Sequence, residues 1–403
     1  MSRLEELIQQ YCPDGVEYKK IKEVYQRIKG TPITAGKMKE IQCPDGEIRI
    51  FAGGKTVIDA NEDDIPNANI TRVPAVLVQS RGVIDAIYYD KPFTFKNEMW
   101  AYTHKEQTSV KFLYYVMKQN IQHFRDAASG MGALPQISLG TTEDFVIPVP
   151  PLPVQEEIVR ILDTFTELQA ELQAELQKRL QQYNYYRDNL LSFEGRADVE
   201  WKKINEVVRS LTTGLNPRQT FKLNVDGATC PYITGKDIFN NSINPSSKTD
   251  KISFDVIERI NKRAKLEDDM LLFASTGTGT VGRMAYIQKY TNDWSISETL
   301  YAIKTKSFLN ARFLMYYLTT EMAISQYRGK ISKGSVPHLK IADLMNVVIP
   351  IPSIEEQHRV VELISHFDIL VNDITAGLPA EIEARRKQYE YYRDQLLTFK
   401  KKA

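Results

Sequence analysis

The sequence predicts an α+β protein built as a pseudo-two-fold tandem repeat. Two globular modules are each followed by a long helical segment, and the two segments pair as an antiparallel two-helix coiled coil. Three observations carry this expectation. The stretch IPVPPLPVQEEIVRILDTFTEL, beginning at Ile147, returns as IPIPSIEEQHRVVELISHFDIL at Ile349, and YYRDNLLSF at Tyr185 returns as YYRDQLLTF at Tyr391. Between Gln155 and Phe193 there is neither Pro nor Gly, and apolar residues recur every three or four positions, the period of an amphipathic helix. Inside the modules, Gly- and Thr-rich turns adjoin alternating polar and apolar residues, as at Arg283–Gln288, the pattern of strands joined by tight turns.

Composition bounds the class. The 403 residues, 42% hydrophobic and 26% charged, belong to a folded globular protein of two or three domains. Cys12, Cys43 and Cys230 are isolated and odd in number, which argues for a reducing compartment and against a disulfide framework. No apolar run reaches the ~20 residues of a membrane span. The start MSRLEELIQQ is no signal peptide, so the expected location is cytoplasmic and no membrane partner is expected.

In chain order, residues 1–146 form the first module and 147–198 a central helical spacer. Residues 199–348 form the second module and 349–403 a distal helical spacer. The modules share anchors: VEYKKIKEV from Val16 with VEWKKINEV from Val199, Phe112-Leu113 with Phe313-Leu314, and Gly132-Ala-Leu-Pro135 with Gly334-Ser-Val-Pro337. Elsewhere they diverge, which suggests two versions of one task with different targets.

Pro148, Pro150, Pro151 and Pro153 stop any helix before the central segment. A helix from Gln155 to Phe193 would extend ~58 Å, more than a compact domain buries, so its stripe needs another long helix. The stripe includes Ile158, Phe165, Leu168, Leu172 and Leu176, and the partner is the second copy, Gln357–Phe399, with Phe367 and Leu370. Gly377-Leu378-Pro379 interrupts that copy, since Gly ends helices and Pro begins them. Connectivity makes the pairing antiparallel, with the modules at opposite ends; a helical hairpin within one globule is the alternative. Leu168-Gln-Ala-Glu and Leu172-Gln-Ala-Glu are a perfect tandem, readable as good helix-forming sequence or as a length ruler.

Near-neutrality, +1 overall, conceals asymmetry. Residues 195–348 hold 22 basic and 15 acidic residues, whereas residues 147–194 hold 4 and 8. The second module is thus compatible with phosphate contacts. Several catalytic signatures fail on inspection. Gly277-Thr-Gly279-Thr-Val-Gly282 spells GxGxxG, but a strand pattern follows where a dinucleotide site needs a helix. Gly53-Gly54-Lys55-Thr56 resembles the end of a P-loop, yet Arg49 stands where its first glycine belongs. The five histidines are scattered and no Cys/His spacing suggests zinc. No catalytic constellation and no metal site is expected.

The repeat, its Pro-rich entry, the Gln-Glu-Glu-Ile-Val-Arg-Ile-Leu-Asp helix start, the paired Tyr-Tyr-Arg-Asp segments, the Leu-Gln-Ala-Glu tandem and the opening Cys12-Pro-Asp-Gly-Val-Glu-Tyr resemble the specificity subunit of a type I restriction–modification system. The resemblance covers essentially the whole chain. It implies that the modules are two α/β target-recognition domains, each reading half of a bipartite, asymmetric target in double-stranded DNA. The helices would set the spacer and dock two methyltransferase subunits, with restriction/translocase subunits in the full complex. The chain itself would be non-catalytic and bind no cofactor; S-adenosylmethionine, ATP and Mg²⁺ would serve the partners. Tyr186, Arg187, Tyr392 and Arg393 of the repeated segments join the helical residues above as docking candidates.

Basic or small polar residues beside expected loops are the DNA-contact candidates: Lys55, Arg72 and Arg81 in the first module, and Arg218, Lys236, Thr278, Arg283, Lys330 and Lys333 in the second. Two rival classes stay open, an autonomous DNA-acting nuclease or methyltransferase with an unrecognised site, and a coiled-coil scaffold with two protein-binding modules.

Overall fold

A computed structural model describes residues 2–54, 56–65, 67–129, 134–372 and 378–402; the side chains of 370–372 also lie outside the described set. The chain divides into two compact units, Met1–Glu171 with Glu383–Ala403, and Leu172–Ile382.

In the first unit, strands β1 (Glu17–Lys20), β2 (Gln26–Lys29), β3 (Ile48–Phe51), β4 (Val57–Ala60), β5 (Ala75–Gln79), β6 (Asp85–Tyr89), β7 (Phe93–Phe95), β8 (Trp100–Thr103) and β9 (Val146–Val149) follow one another. A four-stranded sheet has the order β2-β8-β5-β6, and a three-stranded sheet the order β4-β3-β7. The run Ala-Val-Leu-Val-Gln of β5 is buried throughout, as befits a central strand with both faces covered. Helix Gln107–Gln119 turns Val110, Leu113 and Val116 onto this sheet, each at most 1% exposed.

The second unit repeats that topology. Its strands are β10 (Glu200–Lys203), β11 (Val208–Thr213), β12 (Cys230–Ile233), β13 (Ile238–Phe239), β14 (Ser242–Ile243), β15 (Lys251–Ile252), β16 (Met270–Ala274), β17 (Met284–Ile287), β18 (Ser295–Ile296), β19 (Leu300–Thr305) and β20 (Val348–Ile351). The sheets run β11-β19-β16-β17 and β15-β12-β18. In each unit the small sheet has one parallel pair, with Phe51 opposite Phe95 and Ile233 opposite Ile296. Gly30 and Gly214 permit the next crossing: a Cβ there would lie 2.2 Å from the Phe95 carbonyl oxygen and 1.8 Å from that of Ile296. The second unit adds the β13–β14 hairpin and helix Phe254–Ala264 between β12 and β16. Asn240 and Asn241, at φ 48° and 58°, make the left-handed turn that hairpin needs.

The shared anchors are the joints between modules and helices. Val-Glu-Tyr and Val-Glu-Trp open β1 and β10, which pair antiparallel with the Pro-rich entries β9 and β20. In the first unit the distal segment closes the joint: Val16 N–H donates to the Lys400 carbonyl at 2.9 Å, and the Tyr18 hydroxyl to that of Phe399 at 2.9 Å.

The central helix runs Leu152–Leu190, 39 residues. Its start corrects the expected Gln155, because Pro153 lies in the first turn, where the missing N–H is no loss. It also ends three residues before Phe193, which instead folds into the second unit's core at 1% exposure. Two helices follow the second module, Ile354–Asn372 and Leu378–Leu396. Leu378 and Pro379 open the latter, while Gly377 lies outside the described residues.

Candidate nucleic-acid interface and helix surfaces

In the second unit, loops after β12 and β16 and before the final helix-entry strand converge. Past β12, Asp237 is 8% exposed and accepts hydrogen bonds from the Thr234 N–H (2.9 Å), the Thr234 hydroxyl (2.8 Å) and the Thr249 hydroxyl (2.5 Å). This buried carboxylate pins a tight turn and leaves Lys236 outside. Past β16, the Ser275 N–H and hydroxyl both donate to the Thr299 carbonyl, each at 2.9 Å, and Gly277 N–H donates to the Pro337 carbonyl at 3.0 Å. Asn216 caps the short helix Pro217–Thr220 through the Arg218 N–H at 2.9 Å.

Together these loops line a cleft of about 840 Å³ that includes Asn216, Arg218, Lys236, Asn244, Lys248 and Thr276. Arg218, Lys236 and Lys248 are exposed, and among the described residues none of them forms an ion pair. The wall carboxylates are engaged: Glu298 accepts from the Tyr232 hydroxyl at 3.1 Å and Asp250 from Asn224 at 2.7 Å. Free cations beside amides and hydroxyls suit phosphate oxygens and base edges. Lys248 escaped the sequence reading because only folding brings it beside Arg218 and Lys236; Asn216, two residues before Arg218, is a neutral helix cap without the charge that singles out a basic residue.

The other candidates of this unit are placed differently. Thr278 is exposed on the glycine turn, with Gly277 and Gly279 at φ 122° and 71°. Lys333 is exposed on the loop whose Val336 lines the cleft. Lys330 lies 4.0 Å from Asp343. Arg283 is half-buried and faces a separate cavity of about 300 Å³ beside Asn184 and Arg187, donating to the Ile238 carbonyl at 3.2 Å. That bond ties it to the start of the β13–β14 hairpin, a contact its chain position beside a glycine turn did not reveal.

In the first unit Arg81 is exposed at the end of β5, whereas Arg72 is ion-paired with Glu62. Lys55 lies outside the described residues. A cleft of about 610 Å³ here is lined by Arg27, Lys29, Asn69, Asn97, Glu98 and Trp100, and it contains none of the three candidates. The repeated close-approach glycine beside Lys29 was the available signal.

The helix surfaces repeat as well. The Tyr115 hydroxyl donates to Asp163 at 2.5 Å, and Lys111 pairs with the same carboxylate at 2.7 Å. In the second unit, Tyr316 lies 3.3 Å from Ser365 and 3.4 Å from Asp368. Burial, then the neighbouring carboxylate, holds the Tyr115 phenol well above its ordinary pKa, so it remains a donor. Phe165 stacks on Tyr392 (5.6 Å, 23°), and Tyr186 on Phe367 (5.9 Å, 15°). Within each unit, therefore, the start of one spacer helix meets the end of the other, an antiparallel arrangement. Tyr186, Phe367 and Tyr392 remain 49%, 40% and 41% exposed. Arg187 and Arg393 are committed within the chain, pairing with Asp188 (2.7 Å) and Asp394 (2.8 Å) and lying over Tyr183 and Tyr389. Ile158 is fully buried in the first unit's core, and Leu168, Leu172 and Leu176 are half-buried. The Leu370 side chain lies outside the described residues.

Among the described residues no cluster of His, Cys, Asp and Glu is disposed to hold a metal ion, and no helix is long and apolar enough to cross a membrane.

Comparison with known proteins places these features. The family model for the type I restriction modification DNA specificity domain matches residues 13–182 and again 197–384. The specificity subunit of the Escherichia coli type I restriction enzyme EcoR124I/EcoR124II is 33% identical over 306 residues, 73% of this chain and 72% of that one. A putative type I specificity subunit of Haemophilus influenzae is 30% identical over 324 residues, 75% and 77% of the two chains. Among solved structures, the type I S subunit from M. genitalium has a TM-score of 0.54 at 16% identity, covering 95% of both chains. A chain from a structural study of type I complex assembly and conformational transition has a TM-score of 0.52 at 14% identity, covering 95% of this chain and 97% of its own; such likenesses concern the fold.

Proposed function

Because this chain belongs to the family of type I restriction–modification specificity subunits, we propose that it selects the DNA sequence on which partner subunits act, each module reading one half of a bipartite, asymmetric target. The observation that carries this reading is a constant frame with variable loops. Both modules keep the same strand order and helix joints, while the side chains on the converging loops differ. Two different readers on one scaffold recognise two different half-sites. Phosphate contacts position such a module, and base-edge contacts specify the sequence.

The spacer helices set the separation between half-sites and dock two methyltransferase subunits. The aromatic pairs Tyr186/Phe367 and Tyr392/Phe165, exposed except at Phe165, support this role, since Tyr and Phe supply large contact areas at little entropic cost. Two equivalent surfaces on one chain fit two copies of one partner. Restriction/translocase subunits join the full complex through that core. Family members are non-catalytic and bind no cofactor themselves; S-adenosylmethionine would act in the methyltransferases, and ATP and Mg²⁺ in the translocases.

Incubating the purified chain with DNA, Mg²⁺ and S-adenosylmethionine is expected to leave the DNA unmodified. Adding the methyltransferase subunits is expected to give adenine methylation at a two-part sequence. Turnover by the chain alone would make it an autonomous enzyme instead.

A further inference from the structure

Arg81 and Gln136 in the first unit occupy the same place in the repeated frame as Thr276 and His338 in the second. Each pair forms an isolated antiparallel bridge. Ile137 N–H donates to the Ser80 carbonyl at 2.9 Å, and Leu339 N–H to that of Ser275 at 2.8 Å. Gly82 N–H reaches the Pro135 carbonyl at 2.8 Å, and Gly277 N–H that of Pro337 at 3.0 Å. Ser129 N–H bonds the Gln136 carbonyl at 3.0 Å, as Ser332 N–H bonds that of His338 at 2.9 Å. The serine hydroxyls repeat too, Ser80 donating to the Glu98 carbonyl and Ser275 to that of Thr299.

All these bonds are made by main chain or by the shared serine. These bonds use the main chain of the bridged pair but neither of its side chains, and the side chains change completely, from cation and amide to hydroxyl and imidazole. Bridge partners hold their Cβ atoms about 4.5–5.5 Å apart on one face, close enough for both side chains to reach one base-pair edge. Arg81 and Gln136 are exposed, and neither side chain has a partner among the described residues. Thr276 lines the second unit's cleft, and its hydroxyl lies 2.8 Å from His338 Nδ1, so His338 Nε2 is left facing away from that bond.

We propose that this bridged pair is a specificity-determining position of each module, Arg81 with Gln136 reading a purine in the first half-site and Thr276 with His338 the corresponding base pair of the second. The assignment rests on the half-site reading above. Arg matches the O6 and N7 acceptors of guanine, and Gln the N6 and N7 groups of adenine.

The test uses the full chain in complex with its methyltransferase subunits and a randomised DNA library, sequencing the methylated products. The double variant Arg81→Ala/Gln136→Ala is expected to lose about tenfold or more of its base preference at one position of one half-site, leaving the spacer and the other half-site unchanged. The exchange Thr276→Arg/His338→Gln is expected to move the second half-site toward the first module's base at the matching position. Wild-type preferences retained in both variants would overturn the proposal. So would a uniform loss over all sequences, the mark of a phosphate contact. If the wild-type complex itself shows no two-part preference, it is the half-site reading that fails.

Discussion

At the residue scale, each module is tied to its spacer helix by one buried tyrosine, and the two ties are not equivalent. Tyr115 donates to the Asp163 carboxylate at 2.5 Å, whereas Tyr316 shares two weaker contacts at 3.3 and 3.4 Å with Ser365 and Asp368. Both tyrosines face a carboxylate, but a short hydrogen bond to it contributes more than one stretched to 3.4 Å. Replacing Tyr115 by Phe is expected to cost about 1.5–3 kcal/mol in urea unfolding, and Tyr316→Phe about 1 kcal/mol or less. Glu157 makes a second prediction. Its side chain is 4% exposed and accepts both Arg160 bonds, at 2.9 and 2.6 Å, which hold its pKa below the ordinary glutamate value. The resulting stabilisation is complete above the unfolded pKa of about 4.3 and is lost as pH falls through the folded value. Glu157→Gln should therefore flatten the acid limb of a stability–pH curve while lowering stability at neutral pH. Neither tyrosine tie stands out in the sequence, although both residues lie just past the matching Phe-Leu anchors.

At the element scale, the spacer helices were legible and the modules much less so. Thirty-nine residues of regular apolar spacing announce a helix, and only its ends moved, because Pro153 is tolerated in a first turn. Strands such as Cys230–Ile233, four residues with a proline inside, leave no periodic signal to detect. The loops that line the cleft meet only after folding, so Arg218 and Lys236 could be picked as basic loop residues but not joined to each other or to Lys248. The Leu-Gln-Ala-Glu tandem lies wholly within the central helix. Deleting Leu172–Glu175 removes about 6 Å of helix while keeping an apolar residue on each turn. Methylation by the deleted form is expected at the same half-sites with a spacer shorter by about one or two base pairs of ~3.4 Å. An unchanged spacer would rule out the ruler.

At the scale of the whole molecule, a net charge of +1 describes neither half of the protein. The basic excess lies in residues 195–348, where Arg218, Lys236 and Lys248 form no ion pair among the described residues, and the central helical segment offsets it. On the proposed function, grip on DNA would be concentrated in the second module, with partner subunits supplying more. Arg218→Ala and Lys236→Ala are each expected to reduce the slope of log binding against log salt by about one, as lost phosphate contacts do. The central claim, that this chain alone chooses the target, is tested most directly by sequencing the methylated bases of its host with and without it. The account predicts a two-part, asymmetric adenine-methylated motif with a fixed spacer that disappears when the chain is removed and returns when it is restored. A motif that persists unchanged without the chain would contradict it.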